Sequence, residues 1–385
     1  MDFENIYTYY DKGMLYALKT MKRLHMAKPV SLVLSRPFSM KSDMSYSVAQ
    51  EIMHNAHPKL TDSSVFIERD ENWNKGEEHY NLTVVIPTYN CAEYLMKCLR
   101  SLLAQKTEYS WQAIVVNDGA TDDTAQRLRR FEKHPNIKII TQENRGLSGA
   151  RNTALHYCSS DYTLLLDSDD LLAKNAIQNL LSYAYANDLD IVEGNYLNLQ
   201  DGKLFRDSEF HKNEIVESPL NVLTGFPWMK TFKTELFRTI QFPEGYLYED
   251  TIVSFLMYPL AGKCGTIEDV VYYYRRHGAS LSFASKGRPR NIETFYIAEL
   301  MYDCMKLQNI DPAPLYELFL AHVLLSGNRM AYCEKKLREA VFVGFCVLHD
   351  KYYSEAPGCS QEYGRIRECL LNRDFGKFDL YSRLS

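Results

Sequence analysis

Leu82-Thr83-Val84-Val85-Ile86-Pro87-Thr88-Tyr89-Asn90 is a short apolar run that meets a proline and continues into polar residues. A run of this kind, followed by a helical period, reads as a buried strand opening a β–α unit. The period follows at once: Leu95, Leu99, Leu102 and Leu103 recur at helical spacing, and Asn90, with Glu93 three residues on, is predicted to cap that helix. Working outward, Ala113–Val116, Ile137–Ile140, Tyr162–Leu166 and Asp190–Val192 are further apolar runs separated by amphipathic segments. That alternation is the pattern of a parallel sheet flanked by helices. In an open α/β sheet the ligand crevice lies outside the carboxyl ends of the strands. The informative polar residues are therefore those that follow the runs directly: Pro87 to Asn90, Asn117-Asp118-Gly119, Glu143-Asn144-Arg145-Gly146 and Asp167-Ser168-Asp169-Asp170.

With 385 residues, 46% apolar and 24% charged, the chain has the composition of a folded globular protein of two or three units. Its 44 Lys+Arg against 49 Asp+Glu leave a formal charge of -5, which argues against a nucleic-acid partner held by net charge. The longest apolar run, Ala340 to Leu348, is too short to span a bilayer. The N-terminus, with Asp2 and Glu4 ahead of a Tyr-rich stretch, lacks the basic and apolar regions of a secretory signal. Nine scattered cysteines without a C-x-x-C pair read as reduced thiols, and the protein is expected to be cytoplasmic. Three regions are predicted: an N-terminal extension over 1–80 closing in a charged linker from Glu68 to Glu78, an α/β domain over 81–289, and a helical region over 290–385. Within the domain the β–α rhythm holds over 81–195 and loosens over 196–289.

The chemistry is narrowed by what is missing and by one acidic cluster. No G-x-G-x-x-G follows the first run and no G-x-x-x-x-G-K-[ST] occurs, so the phosphate cradles of a dinucleotide site or a P-loop are lacking. The carboxylates at 167–170 are hard oxygen donors suited to Mg2+ or Mn2+. An acidic pocket repels a diphosphate, whereas the same pocket holding a divalent cation attracts it and stabilises it as a leaving group.

The ordered blocks Val85 to Asn90, Val116-Asn117-Asp118-Gly119 with Thr121-Asp122, Asn144-Arg145-Gly146 running to Ala150-Arg151-Asn152, and Leu166 to Asp170 resemble family 2 glycosyltransferases of the GT-A fold. The resemblance covers about Leu82 to Ser282 and implies a nucleotide-sugar half over 81–195 and an acceptor half with a closing loop over 196–289. It implies an α/β fold of the nucleotide-diphospho-sugar transferase type, Rossmann-like, with a mixed sheet and flanking helices. It also implies an inverting, metal-dependent hexosyl- or N-acetylhexosaminyl-transferase of polysaccharide biosynthesis, using a UDP-sugar and a saccharide, lipid-linked or glycoprotein acceptor. On this likeness Pro87, Thr88, Tyr89 and Asn90 line the nucleoside, and Asp118 accepts from the uracil imide, unless it is only the turn residue of its N-D-G sequence. Arg145 and Arg151 are cationic contacts near uracil and the phosphates, or else surface arginines. Asp167 faces the ribose or the metal, Ser168 lies beside it, Asp169 binds the metal, and Asp170 caps the following helix near Ala173.

In the second half, Pro227-Trp228-Met229-Lys230 resembles a Trp-containing segment of the family ahead of a helix. Trp228 is expected either to stack on a sugar or to sit in the core, and Lys230 is placed with the substrate. Tyr248-Glu249-Asp250 resembles the family's acidic pair, with Asp250 as catalytic base and Glu249 its rival. The segment Arg275 to Ser282 reads as a closing loop, in which His277 reaches the metal and Ser280 and Ser282 the donor. The alternative is a catalytically silent scaffold of the same fold that recruits a partner transferase. The helical tail, with Lys335, Lys336 and Arg338 beside the apolar run 340–348, is read either as a surface that meets a membrane, another transferase or itself, or as an ordinary packed subdomain.

Overall fold

In a computed structural model the protein is described over residues 39–60, 64–70, 72–76, 78–277, 287–356 and 358–384. Its described residues fall into two compact units, one over 60–277 and one that combines 39–59 with 287–384.

The first unit is built on a ten-stranded mixed sheet. Strands β1 (Tyr80–Thr88), β2 (Trp111–Asp118), β3 (Ile137–Gln142) and β4 (Ser160–Leu165) run parallel in the order β3-β2-β1-β4. They alternate with helices α2 (Ala92–Leu103), α3 (Thr124–Leu128) and α4 (Gly146–His156), while α5 (Ala176–Asn187) leads into β6 (Ile191–Gln200). All five predicted runs become strands, each at or beside its expected position. Leu82, Val84 and Ile86 of β1 lie in one buried cluster with Leu95, Leu99 and Leu102 of α2. The remaining strands are β5 (Leu171–Leu172), β7 (Lys203–Phe205), β8 (Glu214–Val216), β9 (Lys230–Lys233) and β10 (Cys264–Arg275). Strand β9 enters antiparallel between β4 and β6, and β10 runs parallel to β6.

The charged stretch 68–78 is not a linker. Trp73 donates from Nε1 to the Leu155 carbonyl at 3.0 Å, and Asn74 pairs with the Ser160 backbone in both directions at 2.9 and 2.6 Å. Phe66 bridges to Ile240, and Arg69 donates to the Phe237 and Ile240 carbonyls. The indole and the amide inside this polar stretch find backbone partners where α4 turns into β4, so the α/β unit begins ahead of residue 81.

In the second unit α1 (Tyr46–Ala56) packs on α8 (Lys335–Tyr353), which packs in turn with α6 (Glu293–Leu307), α7 (Tyr316–Met330), α9 (Gly364–Leu371) and α10 (Phe375–Leu384). Ser39 donates to Asp374 at 2.6 Å, and His57 pairs with Glu293 at 2.8 Å. The described part of the N-terminal extension up to 59 thus belongs with the C-terminal helices. The apolar run 340–348 is buried inside this unit except for the half-buried Val347, and Arg338 is buried in a two-pronged pair with Asp379 at 2.8 and 3.0 Å. The run and that arginine therefore do not form the membrane surface the sequence pattern raised. Among the described residues no helix is long and apolar enough to cross a membrane.

Two expected substrate contacts are core residues. Trp228 is 6% exposed and lies near-parallel to Phe226, Tyr272 and Tyr274 at centroid distances of 4.8 to 5.1 Å, so its ring faces are already covered. The segment ahead of Lys230 leads into β9 rather than a long helix. Lys230 is fully buried, in an ion pair with the equally buried Glu193, and donates to the Thr224 carbonyl at 2.6 Å and the Tyr258 hydroxyl at 2.7 Å. Burial alone would raise the Glu193 carboxyl, but the Lys230 ammonium reverses this and holds it below the usual range. Lys230→Met leaves Glu193 uncompensated and should destabilise the protein by ~3–5 kcal/mol, read as a lower urea midpoint. Adding Glu193→Gln should recover part of the loss.

Candidate active site

The loops at the carboxyl ends of β1 to β4 are cross-linked before any ligand is considered. Pro87 and Thr88 end β1, and the Thr88 hydroxyl is buried without a partner among the described residues, while Tyr89 is 51% exposed. Asn90 adopts φ 46° and its Oδ1 accepts from Thr121 N at 2.7 Å, Thr121 Oγ1 at 3.2 Å and Asp122 N at 3.3 Å. It therefore does not cap α2. That end is satisfied from the β2 loop instead, where Asp122 accepts from Ala92 N at 3.1 Å and Thr124 from Cys91 N at 3.0 Å. Asp118 is more than a turn residue: its Oδ1 accepts from Gln142 Nε2 at 2.7 Å and Arg145 N at 2.9 Å, tying the β2 loop to the β3 loop. Gly119, at φ 70°, permits this approach, because a Cβ there would sit 2.9 Å from the Asn144 nitrogen.

The acidic turn after β4 is shaped by β10. Tyr272 accepts from Asp167 N at 3.2 Å and donates to Asp170 Oδ2 at 2.9 Å, while Asp170 Oδ1 accepts from Arg275 N at 2.6 Å. Asp170 is thus a buried anchor and not a helix cap; α5 starts at Ala176, beyond its reach. Burial, then the Asp169 and Asp167 charges, push its carboxyl well above the usual range. Arg275 Nε donates to the Asp169 carbonyl at 2.7 Å, and Ser168 is buried in the turn. His277 Nε2 lies 2.8 Å from Asp169 Oδ2, its ring packed on Tyr94 at 4.9 Å. Ser280 and Ser282 lie outside the described residues.

Helix α4 joins this turn to the second acidic segment. Arg151 is 1% exposed; its Nη2 donates to Asp167 Oδ1 at 2.9 Å and its Nη1 to Glu249 Oε1 at 2.8 Å, with its guanidinium over the Phe242 ring at 5.1 Å. The expected contact of Arg151 with uracil or phosphate is not what this geometry provides, since both tips are occupied by acids in the interior. Arg145 is half exposed and forms a two-pronged pair with Glu244 at 2.6 and 3.2 Å. Asn152 clamps the Phe242 backbone, donating to its carbonyl and accepting from its N–H, each at 2.8 Å. Burial raises Glu249 to about 7 against the pull of Arg151, with Asp250 adding to the rise. Asp167 is also raised, by burial opposed by Arg151. Asp250 is half-buried beside Glu249. Asn152, Glu244 and Tyr272 are the positioning groups that sequence reasoning did not assign. Asn152 stood inside the quoted Ala150-Arg151-Asn152 block, while Glu244 and Tyr272 carried no local signal.

A divalent cation fits one pair of groups here. Two ligands at about 2.1 Å from one ion and at right angles lie about 3 Å apart, close to the 2.8 Å between Asp169 Oδ2 and His277 Nε2. Asp167 is turned to Arg151, and among the described residues no group of three His, Cys, Asp or Glu converges on one point. The fit is therefore to an ion that takes its remaining ligands from substrate oxygens or water.

A model described as glycosyl transferase family 2 matches residues 83–241, which holds the four strand-end loops. Glycosyltransferase GlyG of Streptococcus pneumoniae is 30% identical over 218 residues, covering 52% of this chain and 72% of GlyG. The Escherichia coli enzyme WfgD, a UDP-Glc:alpha-D-GlcNAc-diphosphoundecaprenol beta-1,3-glucosyltransferase, is 32% identical over 120 residues, 31% of this chain and 47% of WfgD. The crystal structure of S. aureus TarS 1-349 in complex with UDP-GlcNAc has the same fold, with a TM-score of 0.58 at 19% identity over 78% of this chain and 89% of that one. With its strand-end loops inside the family model and a glycosyltransferase matched over most of that relative's length, the chain belongs to glycosyl transferase family 2.

Proposed function

We propose that this glycosyltransferase moves a hexosyl or N-acetylhexosaminyl group from a UDP-sugar to an acceptor hydroxyl of a saccharide or lipid-linked saccharide, with inversion and with a divalent cation. The observation that carries the reading is the convergence, at the carboxyl ends of the strands, of an anchored Asp118, the Asp169–His277 pair and the segment bearing Glu249 and Asp250. WfgD uses a UDP-sugar and a diphosphoundecaprenol-linked acceptor by its name, and TarS binds UDP-GlcNAc. Both support a UDP donor for this chain.

Each residue has a task in that reaction. Asp118, oriented through Oδ1, accepts from the uracil imide N–H, a preference that disfavours cytosine because its N3 is an acceptor. Pro87, Thr88 and Tyr89 flank the nucleoside, and the Thr88 hydroxyl supplies a hydrogen-bonding group not already used by the protein. Asp169 and His277 would hold the cation, which neutralises charge on the leaving diphosphate. Asp250 accepts the acceptor's proton on the face opposite the leaving group. Glu249 is less free to take that position because its Oε1 is held by Arg151 and little of its side chain reaches solvent.

Screening UDP-glucose, UDP-galactose and their N-acetyl forms should yield UDP release that needs Mn2+ or Mg2+; neither binding nor release across that panel would overturn the proposal. Asp250→Asn should lower turnover by about 10²–10⁴-fold with donor affinity nearly intact. Substantial transfer by that variant, together with collapse in Glu249→Gln, would move the base to Glu249. His277→Ala should weaken donor binding in the presence of metal, as measured by titration calorimetry with UDP, and unchanged metal dependence would remove His277 from the site.

A further inference from the structure

We infer that Arg151 is a positioning residue that couples occupation of the donor turn to the ordering of the segment bearing Asp250. The inference rests on the proposed donor reading of Asp167 and goes beyond it by giving the buried arginine a part in the sequence of binding events.

Arg151 sits in the middle of α4 and is 1% exposed. Its two terminal nitrogens are committed to different parts of the chain: Nη2 to Asp167 at 2.9 Å and Nη1 to Glu249 at 2.8 Å. Asp167 ends the β4 strand region and remains 25% exposed at its side chain, so it meets both the arginine and the crevice. Glu249 precedes Asp250 directly and is 9% exposed at its side chain. The guanidinium is a rigid plane, so displacing one tip turns the other. Its Nε is buried and has no hydrogen-bond partner among the described residues, so this third nitrogen does not pin the plane. A shift at Asp167 is therefore passed on to Glu249.

The segment beyond is arranged to receive that shift. Asn152 holds the Phe242 backbone and Arg145 holds Glu244, which fixes its near end to α4. Arg151 grips the far end at Glu249 through a single nitrogen. A nucleotide that engages Asp167 withdraws electron density from the Asp167–Arg151 bond and strengthens the Arg151–Glu249 bond. The donor thereby helps set the Asp250 segment before an acceptor arrives.

The test is hydrogen–deuterium exchange of the full chain, with and without UDP and Mn2+. In the native protein the ligand should slow exchange over both 160–170 and 244–252, the second by about fivefold or more. Arg151→Lys keeps a charge between the two acids but replaces the plane with one ammonium. It should still bind UDP and protect 160–170, while losing most of the protection over 244–252. If that variant does not fold, Glu249→Ala removes only the far arm and should give the same split. Retained protection over 244–252 in a folded variant, or native protection confined to 160–170, would overturn the inference alone. A native protein that binds no UDP would overturn the donor reading and this inference with it.

Discussion

A single arginine in the interior of the α/β unit accounts for much of what surrounds it. Arg151 brings one positive charge to two carboxylates, Glu249 buried and Asp167 with a solvent-facing edge, so one cation must offset two acids where water screens them only in part. Burial and this imbalance together push Glu249 up to about 7, and Asp167 is raised in the same sense. The Phe242 ring beneath the guanidinium adds a favourable face. The helix that carries Arg151 is built for close approach: Gly149 lies where a Cβ would come within 2.4 Å of the Arg145 Cβ. Helix α4 is thus at once the neighbour of the Asp118 loop, the clamp on Phe242 and the carrier of the shared cation.

The unit contains a second buried ion pair, and the contrast is instructive. Lys230 and Glu193 are both fully enclosed, and Thr224, Tyr258 and His211 complete their hydrogen bonding. Both charged groups are fully enclosed, so the pair acts on the fold and pins the antiparallel β9 to β6. The Arg151 cluster is open on one side, because Asp167 retains a solvent-facing edge. Two charge clusters that look alike as residue types therefore do different work, and the difference lies in which of them has an acid left at the surface.

The parallel half of the sheet was legible because its strands are apolar runs with helical periods between them, and so was the placement of polar residues at their ends. What escaped was set by long-range pairing. Strand β9 is only four residues, too short to display a period of two, and its insertion between β4 and β6 depends on partners distant in sequence. Lys230, Trp228 and Arg151 carry polar or aromatic groups that usually seek an edge, and each is buried here by partners that no local pattern announces. The cap of α2 failed for a similar reason: Asn90 is drawn to the Thr121 and Asp122 backbone, and Asp122 returns to serve the helix.

The same dependence on pairing places His277. Strand β5 is two residues long, and its antiparallel register sets Leu172 opposite Tyr272 and Leu171 opposite Tyr273. Each further residue along β10 then steps back toward the start of the acidic turn, which brings Arg275 to Asp170 and Asp169. His277 reaches Asp169 across 108 residues of sequence by the same progression. A slip of one residue would turn the β10 side chains to the other face of the sheet and separate the two groups suited to a cation. The Tyr272 hydroxyl resists such a slip, since it is bonded to both ends of the turn at Asp167 and Asp170. The shortest strand in the sheet thus fixes a geometry that the long β10 alone would leave open.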